Sequence, residues 1–472
     1  MSSVASATAV AELNLPAIAS LRVPVPGYRR SALHPRILHV GVGGFHRAHM
    51  AVYTDETAAE GGTWGIRGAG LLEADRRMAQ VLGAQDHLYT VIERDSDGSQ
   101  PRIVGSIVDF AFVAGDLDAF NGHVADPDIA ILSLTITEGG YSLETRNPTL
   151  EAIVSALDAR RRAGGEPLTV LSCDNLPGNG DVARRAITTV ASARGIELER
   201  YVATGCTFPN SMVDRITPQT KEEDRAWLRD QVGIDDGWPV VCEPFRQWVL
   251  EDRFIAGRPR WETVGVLFTD RVHDWELYKL RMLNASHSCM AYLMALAGVV
   301  YVDEAMRIPV VRGYLEQLLA TEAIPTLNEI PDHPASAYAK TVVQRLENTG
   351  VRDQIARLCI DGTAKFPSFL IPTIEAQLAR GGPVVCGALA LAAWSRYLAT
   401  VPADQRALDS RGDRATALAS DALRDPSAFL ELDEVFTAPL RASPVFRDAF
   451  VAASRNLDAQ GPISAIESLV GG

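Results

Sequence analysis

One stretch constrains the fold more than any other: RILHVGVGG, Arg36 to Gly44. It is a β-rich apolar run that breaks off into glycines, and a helical pattern follows from Phe45 to about Ala59. Strand, tight turn and helix in that order open a βα unit of a doubly wound sheet. Within the turn, Gly41 lets the chain reverse sharply. Gly43 and Gly44 carry no side chain that would block a pyrophosphate, and the helix start at Phe45 offers free N–H groups and a partial positive charge. His46 stands where the usual third glycine would fall. The turn therefore reads as a dinucleotide site made by Gly41, Gly43, Gly44 and Phe45.

Strands are also expected at Trp64 to Leu71, His87 to Arg94, Asp128 to Thr137 and Leu168 to Asn175. The last two are nearly continuous apolar runs, as strands covered on both faces should be. Helical patterns between them, Thr149 to Ala163 and Asp181 to Ala193, complete the alternation. After Gly257 to Asp270 the pattern changes. Trp275 to Ala297, Asp303 to Ala323, Ala335 to Glu347, Ile371 to Arg380 and Gly387 to Leu398 all read as helices. A chain of 472 residues is too long for one core. The expected fold is α/β: a Rossmann-like doubly wound parallel sheet in residues 1–270, then a mostly α-helical substrate-binding and catalytic domain in 271–472.

The formal charge is -14, which repels nucleic acid and anionic lipid and leaves a small molecule as the expected partner. The six cysteines are scattered without a C-x-x-C, so buried reduced thiols are expected rather than a disulfide framework or a zinc site. The N-terminus lacks the basic region of a secretory signal. The apolar segment Ala291 to Val302 is too short to span a membrane. A cytoplasmic location is the expectation.

The second domain opens on WELYKLRMLNASHSCMAYLMALAG, where Lys279, Asn284 and His287 stand at i, i+5 and i+8. At about 100° per residue they fall within an arc of roughly 140° on one helix face. Apolar neighbours around a lysine lower its pKa by desolvation, as a general base working near neutral pH requires. In the first domain, Glu73 and Asp75 follow the second strand and are the candidates to hold an adenosine ribose. Asp75 is favoured. A carboxylate there repels a 2′-phosphate and favours NAD, with NADP as a weaker cofactor.

KLRMLNASH resembles the K-x-x-x-x-N-x-x-H signature of the polyol-specific long-chain dehydrogenases. Further blocks in the family order are GVGGFHRAH, SLTITEGGY, SCDNLPGNG, FPNSMVDRITP, WPVVCEPFRQWVLED and DGTAKFPSF. The resemblance implies that Lys279 is the general base and that Asn175 and Asn284 donate hydrogen bonds to the reacting oxygen. It implies that His287 holds substrate, that Asp214, Arg357 and Lys365 contact the other hydroxyls, and that Glu276 links the lysine to solvent protons. It also implies a metal-free reaction and a monomer. The implied activity is NAD-dependent oxidation of a polyol such as D-mannitol to D-fructose, with D-arabinitol oxidation or uronate reduction as alternatives. Gly139 stands where a uronate reductase would carry a lysine. A nucleotide-dependent sensor without catalysis is the reading from a different class, and the intact Lys279, Asn284 and His287 speak against it.

Overall fold

The computed structural model describes residues 10–471. The chain divides into two compact units, Met1–His273 and Asp274–Gly472. The first is built on a five-stranded sheet in which every neighbouring pair is parallel. We number its strands β1 (His34–Val40), β2 (Trp64–Gly70), β3 (Ile107–Phe112), β4 (Ile131–Leu134) and β5 (Thr169–Ser172). Their order across the sheet is β3-β2-β1-β4-β5. The order reverses between β1 and β4. In open α/β sheets, ligands bind beyond the carboxyl ends of the strands at such a reversal.

The residue pattern explains the layers. β4 and β5 are buried along their whole length. Alternate side chains enter opposite cores: Ile37, Ile66, Ile131 and Leu171 face one, and Leu38, Val40, Leu132, Leu134 and Val170 the other. Parallel neighbours need crossovers: the helix Met50–Ala59 lies on the connection from β1 to β2 and Pro148–Arg162 on that from β4 to β5, while Asn179–Ser192 follows β5.

Three features depart from the sequence pattern. The helical stretch after the glycine turn is two helices, Gly44–Ala48 and Met50–Ala59, broken at His49. There the buried His49 ring places Nε2 2.9 Å from the Gln247 carbonyl. The strand expected near His87 is Tyr89–Asp95, but it lies outside the main sheet. It forms an antiparallel hairpin with Gly98–Val104 and a parallel pair with Val240–Cys242. β3 completes the main sheet instead, and its Asp109 pairs with Arg67 of β2 at 2.6 Å.

The second unit is helical. Ala285–Leu296 and Pro444–Val470 both pack on Val385–Thr400. Trp394 of the middle helix is fully buried among Tyr292, Phe366 and Phe429. Glu322 also lies in this interior and accepts the Cys386 and Gly387 N–H groups at 2.6 and 3.0 Å. All six cysteines are buried free thiols. Among the described residues, no helix is long and apolar enough to cross a membrane.

Glu322 carries a testable consequence. Burial pushes its carboxyl up to about 7. A group raised in the folded state contributes stability that is full below its unfolded pKa, near 4.3, and is lost as pH rises through the folded value. The loss amounts to about 3 kcal/mol. Glu322→Gln cannot ionise, so the parent is expected to lose melting temperature relative to this variant as pH rises from about 5 to 8, over and above the changes the two share. Calorimetry across that range checks this, and an unchanged slope would refute it.

Candidate active site

In the first unit, the turn after β1 is set by Gly41. Its φ is +92°, and a Cβ there would sit 2.1 Å from the Thr135 carbonyl oxygen. Only glycine fits. The Thr135 hydroxyl donates to the Gly41 carbonyl at 2.6 Å, and His39 Nε2 lies 3.0 Å from the same hydroxyl. The turn after β1 is thereby bolted to the turn after β4, across the reversal in strand order. Gly43 differs. A Cβ on it would meet nothing nearer than the Gly41 carbonyl at 3.8 Å, so the space above it is open. Open backbone running into the helix that starts at Gly44 and Phe45 is what a pyrophosphate needs.

His46 does the packing work of a third glycine by another route. Its ring lies flat on His39, with centroids 3.5 Å apart and planes at 10°. Both rings are buried, and the His46 nitrogens have no hydrogen-bond partner among the described residues. Burial pushes His39 down to about 3 and His46 well below the usual range, so the pair is a neutral plate beneath the turn.

Asp75 packs against the end of β2, where a Cβ on Gly70 would lie 2.8 Å from the Asp75 Cβ. Its carboxylate accepts the Leu72 N–H at 3.0 Å. Glu73 is exposed and paired with Arg76. The Arg76 and Arg77 guanidiniums lie over the Phe112 and Trp238 rings at 4.6 and 4.9 Å. Asn175 follows β5, exposed, at the centre of a tight turn closed by Leu176 N–H donating to the Asp174 carbonyl at 2.9 Å. Asp214 is buried at the end of the strand Ser211–Asp214.

In the second unit, Glu276, Lys279, Asn284 and His287 share one helical run. That run is not uniform. Lys279–Asn284 is wound as a π-helix between the α-helices Val272–Tyr278 and Ala285–Leu296. Its i→i+5 bonding widens the turn to about 4.4 residues, so the step from Lys279 to Asn284 overshoots one turn by about 50° instead of about 140°. The two side chains therefore lie nearer one line than a regular α-helix would place them. Such insertions recur at functional sites. Lys279 and Glu276 are buried, at 9% and 6% exposure, among the likewise buried Leu280, Met282 and Leu283.

Arg357 and Lys365 form a second group in this unit. Arg357 grips Asp353 with two parallel bonds, Nε to Oδ1 at 2.6 Å and Nη2 to Oδ2. Burial acts to raise the Asp353 carboxyl, but the hydrogen bond and charge of Arg357, aided by His287, hold it below the usual range. Lys365 donates to the Leu358 carbonyl at 3.1 Å. Burial first, and then the charge of Arg357, push its ammonium down. Asp353 was not singled out from the sequence, although its i,i+4 spacing to Arg357 was the available signal. Among the described residues, no three His, Cys, Asp or Glu side chains gather as a metal-ligand set.

Comparison with known proteins agrees with both units. Residues 35–263 match the mannitol dehydrogenase Rossmann domain and residues 271–458 the mannitol dehydrogenase C-terminal domain. The mannitol 2-dehydrogenase of Cereibacter sphaeroides is 42% identical over 437 residues, covering 87% of this chain and 91% of the relative. That of Phaeosphaeria nodorum is 38% identical, covering 93% and 82%. The ternary complex of Pseudomonas fluorescens mannitol 2-dehydrogenase with NAD and D-mannitol superimposes with a TM-score of 0.88 at 38% identity, covering 98% of this chain and 100% of that one. A substrate-free D-sorbitol dehydrogenase gives 0.87 at 33% identity, covering 97% and 100%. With both units matched in order and relatives similar along nearly the whole length, the chain belongs to the mannitol dehydrogenase family.

Proposed function

We propose that this protein is an NAD-dependent secondary-alcohol dehydrogenase interconverting a polyol and a ketose, with D-mannitol and D-fructose as its principal pair. The observation that carries this reading is a buried lysine on a π-wound turn, one turn beyond a buried glutamate. The family relative bound to NAD and D-mannitol supports the substrate class. The first unit fits a dinucleotide: Gly41 to Phe45 would hold the pyrophosphate, and Asp75 at the end of β2 would accept from the ribose hydroxyls. When bound, the nicotinamide supplies the hydride acceptor for the carbinol carbon.

The protein's own groups manage the oxygen. Lys279, neutral, accepts the hydroxyl proton, and Glu276 passes it on toward solvent. Asn284 and Asn175 donate to the oxygen as it gains charge. His287 hydrogen-bonds substrate. Asp214, Arg357 and Lys365 meet the remaining hydroxyls. Arg357 brings the Nη1 donors that Asp353 leaves unused, and Lys365 those beyond its bond to Leu358. Lysine and asparagine together leave no task for a metal, so full activity is expected to survive EDTA. Loss of activity in EDTA, restored by a divalent ion, would defeat the metal-free reading.

The substrate is tested by NADH oxidation with D-fructose, D-xylulose and D-fructuronate, compared by kcat/KM. Fructose is expected to lead. A lead for xylulose would reassign the enzyme to arabinitol, and a lead for fructuronate to uronate reduction. No turnover with any of the three would overturn the proposal.

A further inference from the structure

The turn after β4 contains a residue in a conformation its side chain resists. Thr137 has φ 63° and ψ 173°, a region populated almost only by glycine, and it is β-branched. Holding it there is a strain that the surroundings must offset. The compensating group is Asp174, one residue before Asn175. Its Oδ1 accepts the Thr137 N–H at 2.8 Å, and its Oδ2 accepts the Ile136 N–H at 3.1 Å and the Tyr141 hydroxyl at 2.6 Å. Tyr141 is braced in turn by Ser172 Oγ of β5 at 2.8 Å.

The main chain of Asp174 is held as firmly. Its carbonyl accepts Leu176 N–H at 2.9 Å and Asn179 Nδ2 at 3.0 Å. Asn179 also donates to the Ser211 carbonyl at 2.8 Å. Asn175 therefore stands on a turn fixed from two sides. The Asp174 carboxylate ties it to the turn after β4, and Asn179 ties it to the strand that ends in Asp214. Asp174 is buried, at 7% exposure, so its bonds are not diluted by water. A carboxylate that accepts three donors at the carboxyl ends of β4 and β5, one of them from a strained residue, does more than close a loop.

We propose that Asp174 is a positioning residue for the reaction: it uses the strained Thr137 turn and the Tyr141 hydroxyl to fix the Asn175 amide where the reacting oxygen gains charge. The inference rests on the reading of Asn175 as a donor to that oxygen. Asp174→Asn puts an amide NH2 where one of the backbone N–H donors needs an acceptor. Tyr141→Phe removes a single donor without touching the main chain.

The test compares Asp174→Asn, Tyr141→Phe, Asn175→Ala and the double variant Asp174→Asn/Asn175→Ala. Melting temperature, NADH affinity by fluorescence, kcat, and the isotope effect with C2-deuterated D-mannitol are measured for each. Asp174→Asn is expected to lose about 30–100-fold in kcat, with NADH affinity within about threefold of the parent and a larger isotope effect as hydride transfer becomes limiting. Tyr141→Phe is expected to lose about 3–10-fold in the same way, and it decides the matter if Asp174→Asn does not fold. The Asp174→Asn loss should largely vanish in the Asn175→Ala background. Additive losses, parental kcat in both Asp174→Asn and Tyr141→Phe, or a loss that only follows melting temperature and NADH affinity would each overturn the role of Asp174. Parental kcat in Asn175→Ala would instead overturn the role of Asn175, and this inference with it.

Discussion

Lys279→Met is expected to lower kcat for D-mannitol oxidation by about a thousandfold or more while leaving NADH affinity near the parent value. A positioned general base contributes about 10²–10⁴-fold. Methionine keeps the buried stem of Lys279 in its setting but has no lone pair for the hydroxyl proton. Two further signatures separate a base from a packing residue. In the parent, kcat for oxidation should rise with pH as the lysine becomes neutral, and the variant should lose that limb. In Lys279→Ala, added methylamine should restore part of the rate, because the truncated side chain leaves room for a free amine. Asn284→Ala should behave differently, losing about 10²-fold while keeping the pH limb, because it removes a donor to the oxygen and leaves the base in place. A Lys279→Met enzyme within about tenfold of the parent would remove the lysine from the mechanism.

The residues of the site were legible in the sequence to different depths. The βα alternation around β1, β4 and β5 was clear because fully covered parallel strands are continuous apolar runs with little else to confuse them. β3 was not, because IVDFAF carries Asp109 in its middle, and only the fold brings Arg67 beside it. The spacing of Lys279, Asn284 and His287 was visible, but not the π winding that draws the first two together. A π turn is one extra residue absorbed by local packing, and no residue type announces it. The apolar-flanked lysine motif, by contrast, is enough to predict burial, and Lys279 is 9% exposed. Asp174 and Thr137 lay inside recognisable blocks without standing out. An aspartate before an asparagine reads as an ordinary turn, and nothing in a threonine signals a φ of 63°. What the sequence hides here is backbone conformation and the partner that stabilises it.

That difference gives the second large expected effect, at two glycines that look alike in the sequence. Gly41→Ala forces a side chain onto φ +92° and drives its Cβ to 2.1 Å from the Thr135 carbonyl, which is main chain and cannot rotate aside. The first unit should lose about 3 kcal/mol or more, and the turn should shift enough to weaken NADH binding by at least about a hundredfold. Gly43→Ala meets only the Gly41 carbonyl at 3.8 Å and needs no left-handed backbone. Its stability should stay within about 0.5 kcal/mol of the parent. Its methyl group nonetheless enters the open space over the helix start, so NADH affinity should still fall by roughly 10–100-fold if the pyrophosphate approaches the backbone there. Melting temperature and NADH fluorescence titration separate the two variants on one preparation each. Loss of stability without loss of binding in Gly43→Ala would reverse the assignment, because the steric conflict would then lie within the protein. Binding of NADH by Gly43→Ala as tight as the parent's would place the phosphates elsewhere on the turn, leaving Gly41 as a folding requirement alone.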